Sequence, residues 1–175
     1  GRGNVLFFGD VGSTARLGAV SGLKIVNAGN VTVSGTLTLL QFWQAAGSET
    51  TTFKNIEVGV TNNFIVKSAS VELEESRFYS GGPIIFDSPV TLKNGASFFN
   101  AGGSEVSFNY HLTNAENLRI HENSAPYLPA VDGGPDGTYN GVNVEFSDYT
   151  LTNDPDNDDY LLLEANQPEP EPEPE

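Results

Sequence analysis

The hydrophobic residues of this chain recur with two periods. Locally, apolar and polar residues alternate, as in segments 31–33 (Val-Thr-Val) and 71–73 (Val-Glu-Leu). Alternation with a period of two is typical of strands that have one buried face. At longer range, the pattern of segment 25–33 returns in segments 65–73 and 84–92, which indicates a repeat of about 20 residues. Helical spacing is not sustained anywhere in the chain.

Short strands at this repeat predict an all-β fold, a single-stranded β-solenoid of five to six coils with about 20 residues per coil. In such a lattice, residues that are twenty positions apart lie directly over one another. Two of the predicted buried columns form the core. They consist of Val33, Phe53, Leu73, Leu92 and Leu112, and of Val58, Phe78, Phe98 and Leu118.

The outward positions of the same lattice form a charge ladder. Glu74 falls between Lys54 and Lys93, about 4.8 Å from each backbone. Opposite charges on adjacent strands contribute about 0.2–1 kcal/mol per pair. One position further along, the lattice holds residues that tolerate the left-handed backbone angles of a coil corner. These are Asn55, Asn94 and Asn114.

The run 5–20 (Val-Leu-Phe-Phe-Gly-Asp-Val-Gly-Ser-Thr-Ala-Arg-Leu-Gly-Ala-Val), followed by 28–35 (Ala-Gly-Asn-Val-Thr-Val-Ser-Gly), resembles the repeats of filamentous-haemagglutinin-like proteins and autotransporter passengers. The resemblance covers about residues 4–120. It implies a right-handed β-helix displayed outside a bacterial cell, with an adhesive or structural role. It offers no catalytic residues.

Charge divides the chain into two regions. The formal net charge is −15; residues 1–120 carry 8 basic and 9 acidic groups, whereas residues 121–175 carry 14 acidic groups, no Lys or Arg, and 8 of the 10 prolines. This acidity argues against nucleic acid as a partner. No apolar run approaches the roughly 20 residues that span a bilayer.

The absence of Cys excludes a disulfide framework and a thiol nucleophile. The chain starts at Gly1 and contains no Met, so we expect a secreted protein whose signal has been removed.

The division in charge predicts three parts: a solenoid over 1–120, an acidic segment over 121–163 and an extended Pro-Glu tail over 164–175. Within the acidic segment, Val142–Phe146 and Tyr160–Leu163 are predicted strands. They either cap the last coil or pair with a neighbouring subunit.

An acidic cluster near the C-terminus suggests calcium, because carboxylates alternate there as they do in oxygen-ligand loops. It consists of Asp154, Asp156, Asp158 and Asp159. The cluster departs from an EF-hand, with Asp159 at the sixth position and Ala165 at the twelfth, so a solvated acidic turn is the alternative. A weaker oxygen cluster comprises Asp132, Asp136 and Asn140.

Signs of catalysis are few. A glycoside hydrolase needs two carboxylates that flank one bond, and the candidates are Glu72, Glu74 and Asp87. The charge ladder explains Glu74 better. Trp43, beside Phe42 in an apparent loop, is the one hint of sugar stacking. We expect that this protein is not an enzyme.

Three functions remain open. The first is a secreted structural protein that assembles end to end into a homopolymeric filament, its C-terminal segment contacting the next subunit. The second is a monomeric adhesin or spacer module, with a cell-surface polysaccharide as a potential partner. The third is a polysaccharide-acting enzyme.

Overall fold

The computed structural model describes residues 3–12, 22–127, 130–131 and 149–165. The chain winds through three sheets, and within the stacked coils each inner strand pairs in parallel with the strands one coil before and one coil after it. Stacked parallel coils of about 20 residues, about five in number, make the fold a β-solenoid, as the sequence predicts.

The strands are numbered in chain order. They are given below sheet by sheet, from one end of the stack to the other. Sheet A contains β1 (Val5–Phe7), β3 (Val31–Val33), β6 (Thr50–Lys54), β9 (Ser70–Glu74), β12 (Val90–Lys93), β15 (His111–Thr113) and β18 (Ala130–Val131). Sheet B contains β4 (Leu37–Leu39), β7 (Glu57–Val60), β10 (Arg77–Ser80), β13 (Ser97–Asn100), β16 (Leu118–His121), β20 (Asn157–Ala165) and β19 (Tyr149–Asp154). Sheet C contains β2 (Leu23–Ile25), β5 (Phe42–Gln44), β8 (Phe64–Val66), β11 (Ile84–Phe86), β14 (Glu105–Phe108) and β17 (Ala125–Tyr127). A single 3₁₀ turn, Ala115–Asn117, lies between β15 and β16.

The core lies inside the three sheets and is filled by phenylalanine. Neighbouring rings have their centroids 4.9 to 6.0 Å apart. Such ring pairs contribute about 0.5–1.5 kcal/mol each beyond the area that they bury. The buried rings belong to Phe42, Phe53, Phe64, Phe78, Phe86, Phe99 and Phe108.

The predicted core columns are confirmed in the middle of the solenoid. Phe53 pairs with both Val33 and Leu73, and Leu73 pairs with Leu92. All four side chains are fully buried. In sheet B, Val58 pairs with Phe78 as expected.

The columns are wrong toward the C-terminal coils. Leu112 is buried, but it pairs with Val90 and not with Leu92. Leu118 is likewise buried and pairs with Ser97.

Phe98 departs furthest from the prediction, because it lies outside the core. Phe99 takes its place and pairs with Phe78. Phe98 instead lies on the outward face, where the Arg77 guanidinium is 4.4 Å from its ring centroid.

Variable coil length causes these errors. Successive partners along sheet A, from Val31 through Thr51, Val71 and Val90 to Leu112, are 20, 20, 19 and 22 residues apart. Since side chains alternate between faces, a shift of one residue in a strand moves a side chain from the core to the surface. A fixed period of 20 therefore misplaces residues wherever a corner gains or loses one.

The corner after sheet A has the predicted left-handed backbone. Asn55, Glu75, Asn94 and Asn114 have φ angles of 48°, 43°, 58° and 60°. At the last of these corners, Nδ2 of Asn114 donates a hydrogen bond to the carbonyl oxygen of Leu92, at 2.8 Å. Asparagine thus ties one coil to the next while it turns the chain.

Parallel stacking continues past residue 120, where the solenoid was expected to end. β17 pairs with β14, and β18 pairs with β15, both in parallel. In sheet B the stack ends differently, because β20 pairs antiparallel with β16 and then with β19. The predicted strand Tyr160–Leu163 is part of this hairpin and caps the sheet within its own chain. β20 continues to Ala165, so the first two residues of the segment predicted as an extended tail over 164–175 belong to this strand. Val142–Phe146 and residues 166–175 lie outside the described residues.

Candidate functional site

The charge ladder on sheet A forms in the predicted register, with one change of partner. Glu74 pairs through its backbone with Lys54 and with Lys93. Its carboxylate contacts the Lys54 ammonium at 2.9 Å. The Lys93 ammonium instead contacts Glu72, at 2.6 Å. The Lys54–Glu74 pair is therefore directly opposed, the Lys93–Glu72 pair is diagonal, and each carboxylate has its own lysine.

The three carboxylates considered for catalysis are thus all engaged in ion pairs between coils. The third, Asp87, contacts the Lys67 ammonium at 2.7 Å. The hydrogen bond and the charge of Asp87 raise the pKa of Lys67. Glu72 and Glu74 lie on β9 of sheet A, whereas Asp87 follows β11 of sheet C. This arrangement favours a structural role for all three.

The C-terminal acidic cluster is organised around a buried carboxylate. Asp154 ends β19, and its Oδ2 accepts a hydrogen bond from Nε of Arg119 at 2.7 Å. Its Oδ1 accepts one from the backbone N–H of Asp156 at 3.1 Å. The side chain of Asp154 is only 4% exposed, so the ion pair fastens the hairpin to the last full coil. No pattern in the sequence indicates this pair, whose members are 35 residues apart.

The calcium site stays a prediction. Within the described part of the chain, no three His, Asp or Glu side chains stand close enough together to hold a metal ion. Asp159 is exposed on β20, and the side chain of Asp158 lies outside the description. The weaker cluster of Asp132, Asp136 and Asn140 also lies outside the described residues.

Trp43 is on a strand and not in a loop. It lies at the centre of β5, where Phe42 points into the core and Trp43 points outward, 39% exposed. The Lys24 ammonium is 4.0 Å from the centroid of the Trp43 ring. A lysine therefore covers one face of the side chain that was expected to stack on a sugar.

A shallow groove of about 390 Å³ crosses the outward side of sheet B, at the ends of its strands. Sequence patterns alone do not predict this groove. Its lining consists of Thr38, Leu39, Gly59, Val60, Thr61, Tyr79, Ser80, Gly81 and Asn100. Thr38, Gly59, Tyr79 and Asn100 are successive partners across four strands. The groove opens where this column contains a glycine.

Comparison with known proteins gives no match. No family model, curated protein or solved structure is significantly similar to this chain. The residues themselves must therefore carry any functional argument. The described residues include no helix that is long and apolar enough to cross a membrane.

Proposed function

We propose that this protein is a secreted structural protein, a subunit of an extracellular filament that assembles by end-to-end stacking of solenoids. The observation that carries the proposal is the difference between the two ends of the stack. At one end, β1 and β2 each pair on one side only among the residues that the structure describes. Unpaired strand edges of this kind add further strands readily.

Exposed apolar side chains accompany these edges. Leu6, Phe8 and Val26 are 55%, 76% and 66% exposed. Phe8 follows β1, and Val26 follows β2. Burying them against another copy would remove apolar surface from water, at about 25 cal/mol per Å².

At the other end of the described chain, β17 and β18 are the last strands of sheets C and A, while the hairpin covers sheet B. The open end of one copy and the capped end of the next are different surfaces, so their contact is head-to-tail. A contact between unlike surfaces produces open chains when the rotation does not close. The extracellular setting rests on the resemblance of the repeats.

A substitution at the open end tests this function. The parent protein should form filaments in negative-stain micrographs. Phe8→Gln should abolish or sharply reduce them, because it removes apolar surface from the end. Trp43→Gln is the matched control, since Trp43 is an exposed aromatic residue on the side of the solenoid. It should leave the filaments unchanged. A parent protein that sediments as one monomeric species at high concentration, with and without calcium, would contradict the proposal.

That outcome would favour the second candidate, a monomeric adhesin or spacer module. The observation in its favour is the hairpin itself. By pairing antiparallel with β16, it occupies the edge of sheet B that a following copy would otherwise use.

A further inference from the structure

Gly59 has no structural reason to be glycine. It lies inside β7 and is the one glycine within a strand among the described residues. Glycine in a strand interior weakens the strand, by roughly 0.5–1 kcal/mol relative to alanine. A Cβ at this position would approach nothing closer than the carbonyl oxygen of Leu37, at 3.9 Å.

The neighbouring Gly81 shows the contrast. A Cβ there would lie 2.2 Å from the carbonyl oxygen of Thr61, so backbone packing requires this glycine. No close backbone contact restricts position 59 in this way, and a side chain at that position would point into the groove. A glycine inside a strand often marks a bulge, a tight bend, or a close approach by another backbone or by a ligand. The register of β7 with both neighbouring strands is unbroken at Gly59, and a Cβ there would meet no other backbone closer than 3.9 Å, so close approach by a ligand is the meaning that fits.

The lining of the groove is uncharged. Hydroxyl groups are contributed by Thr38 and Thr61, an amide by Asn100 and an aromatic ring by Tyr79. Oδ1 of Asn100 already accepts the N–H of Gly102 at 2.9 Å, which leaves Nδ2 as the donor for a ligand. An aromatic wall with a few uncharged polar groups suits a ligand that has both C–H surface and hydroxyl groups.

We propose that this groove binds a neutral oligosaccharide, with the sugar ring lying over Gly59 against Tyr79. The groove spans four strands, or about 14 Å at the usual strand spacing, which is long enough for a short stretch of a linear glycan. An acidic glycan would be repelled by a protein of net charge −15. The site is on the side of the solenoid, so it goes beyond the proposed assembly and does not depend on it.

The C-terminal hairpin brings Tyr160 of β20 near Tyr79, close enough for the Tyr79 phenol to raise the pKa of Tyr160. Tyr160 is itself packed against the rings of Phe98 and His121, with centroids 5.2 and 5.3 Å away. Tyr160 is a positioning residue in this scheme, because it acts on the ligand only through Tyr79.

Calorimetric titration of the full chain with cello-, manno- and xylo-hexasaccharides, and with a hexamer of galacturonate, tests the site. At least one neutral probe should bind with a Kd below about 1 mM, and the acidic probe should bind more weakly. Gly59→Thr fills the groove, so it should weaken binding by about tenfold or more. The same change should leave the melting temperature unchanged or raise it, because threonine suits a strand.

Gly9→Thr is the matched control. A Cβ at Gly9 would have no atom within 4 Å, and Gly9 is not part of the groove. This variant should bind as the parent does. Binding by Gly59→Thr at the parent affinity would overturn the proposal. So would preference for the galacturonate probe, or no neutral probe binding to a parent protein that melts cooperatively.

Discussion

At the scale of single residues, the corner after sheet A makes the sharpest demand on the sequence. Four coils turn there through a residue with positive φ, and three of the four residues are asparagine. Left-handed backbone costs most residues about 1–2 kcal/mol, and asparagine less. Glu75 is the exception, at a φ of 43°. Its side chain is exposed, so packing of that side chain offsets little of the cost of the left-handed backbone.

Glu75→Asn should therefore raise the free energy of unfolding by about 0.5–1 kcal/mol. Urea unfolding, followed by circular dichroism, measures the change. Asn94→Ala is the reciprocal control at the next corner, where φ is 58°, and it should lower stability by a similar amount. A Glu75→Asn variant no more stable than the parent would show that the corner carries little strain.

At the scale of elements, the hairpin of β19 and β20 contributes a group whose ionisation opposes folding. Tyr160 is buried on the hairpin. Burial raises the pKa of its phenol above the ordinary value of 10.0, and the neighbouring Tyr79 raises it further. The folded protein thus holds this proton more tightly than the unfolded chain. The resulting stabilisation is complete below about pH 10 and is lost as the pH rises through the folded pKa.

Tyr160→Phe removes the ionisable phenol, and with it this loss of stability at high pH. Between about pH 9 and about pH 11, the variant should lose less of its free energy of unfolding than the parent does. Tyr110→Phe is the control, since Tyr110 is 49% exposed, and it should follow the parent. Equal losses in the parent and in Tyr160→Phe would contradict the assignment.

Much of this element structure could be predicted from the alternation of side chains. The solenoid, the left-handed corners and the Phe53, Leu73 and Leu92 column follow from a period of two inside a period near 20. Corner lengths could not be predicted, because a corner accepts an extra residue without changing the apolar pattern of the strands that it joins. For that reason the fixed period predicts Phe98 in the core, where the structure has Phe99.

Buried polar residues also limit what the hydrophobic pattern can predict. Gln44 is fully buried in β5, where Oε1 accepts a hydrogen bond from the Thr51 hydroxyl at 3.0 Å. A search for recurring hydrophobic residues does not identify a polar residue in a core column. The groove was missed for a related reason, since Gly59 resembles any other small residue until the coils are stacked.

At the scale of the whole molecule, the charge is concentrated at the C-terminal end. Residues 121–175 carry 14 of the 23 acidic groups and no Lys or Arg, whereas all 8 basic groups precede them. In the proposed head-to-tail contact, this acidic region would face the first described coil of the next copy, where β2 carries Lys24. Such attraction is screened beyond about 8 Å at physiological salt.

Deletion of residues 167–175 should therefore lower the filament yield at low ionic strength. The cut preserves β20, which ends at Ala165. A second variant, with Glu169, Glu171, Glu173 and Glu175 changed to Gln, keeps the tail length and removes its charge. If both variants give a lower filament yield, the effect is due to the charge of the tail. If micrographs of both variants show an unchanged yield, the tail has no role in assembly.

The direction of the backbone hydrogen bonds has a mechanical consequence. They join one coil to the next, as from the N–H of Val5 to the carbonyl of Asn30, and therefore lie along the axis on which the coils stack. A pull along that axis loads the junctions between coils in series, so the weakest junction gives way first. Between the first two coils of the described chain, sheet B contributes a single bridge, Val11 to Leu37. Under tension we expect the first two described coils to separate before the central coils, whose core is filled by phenylalanine.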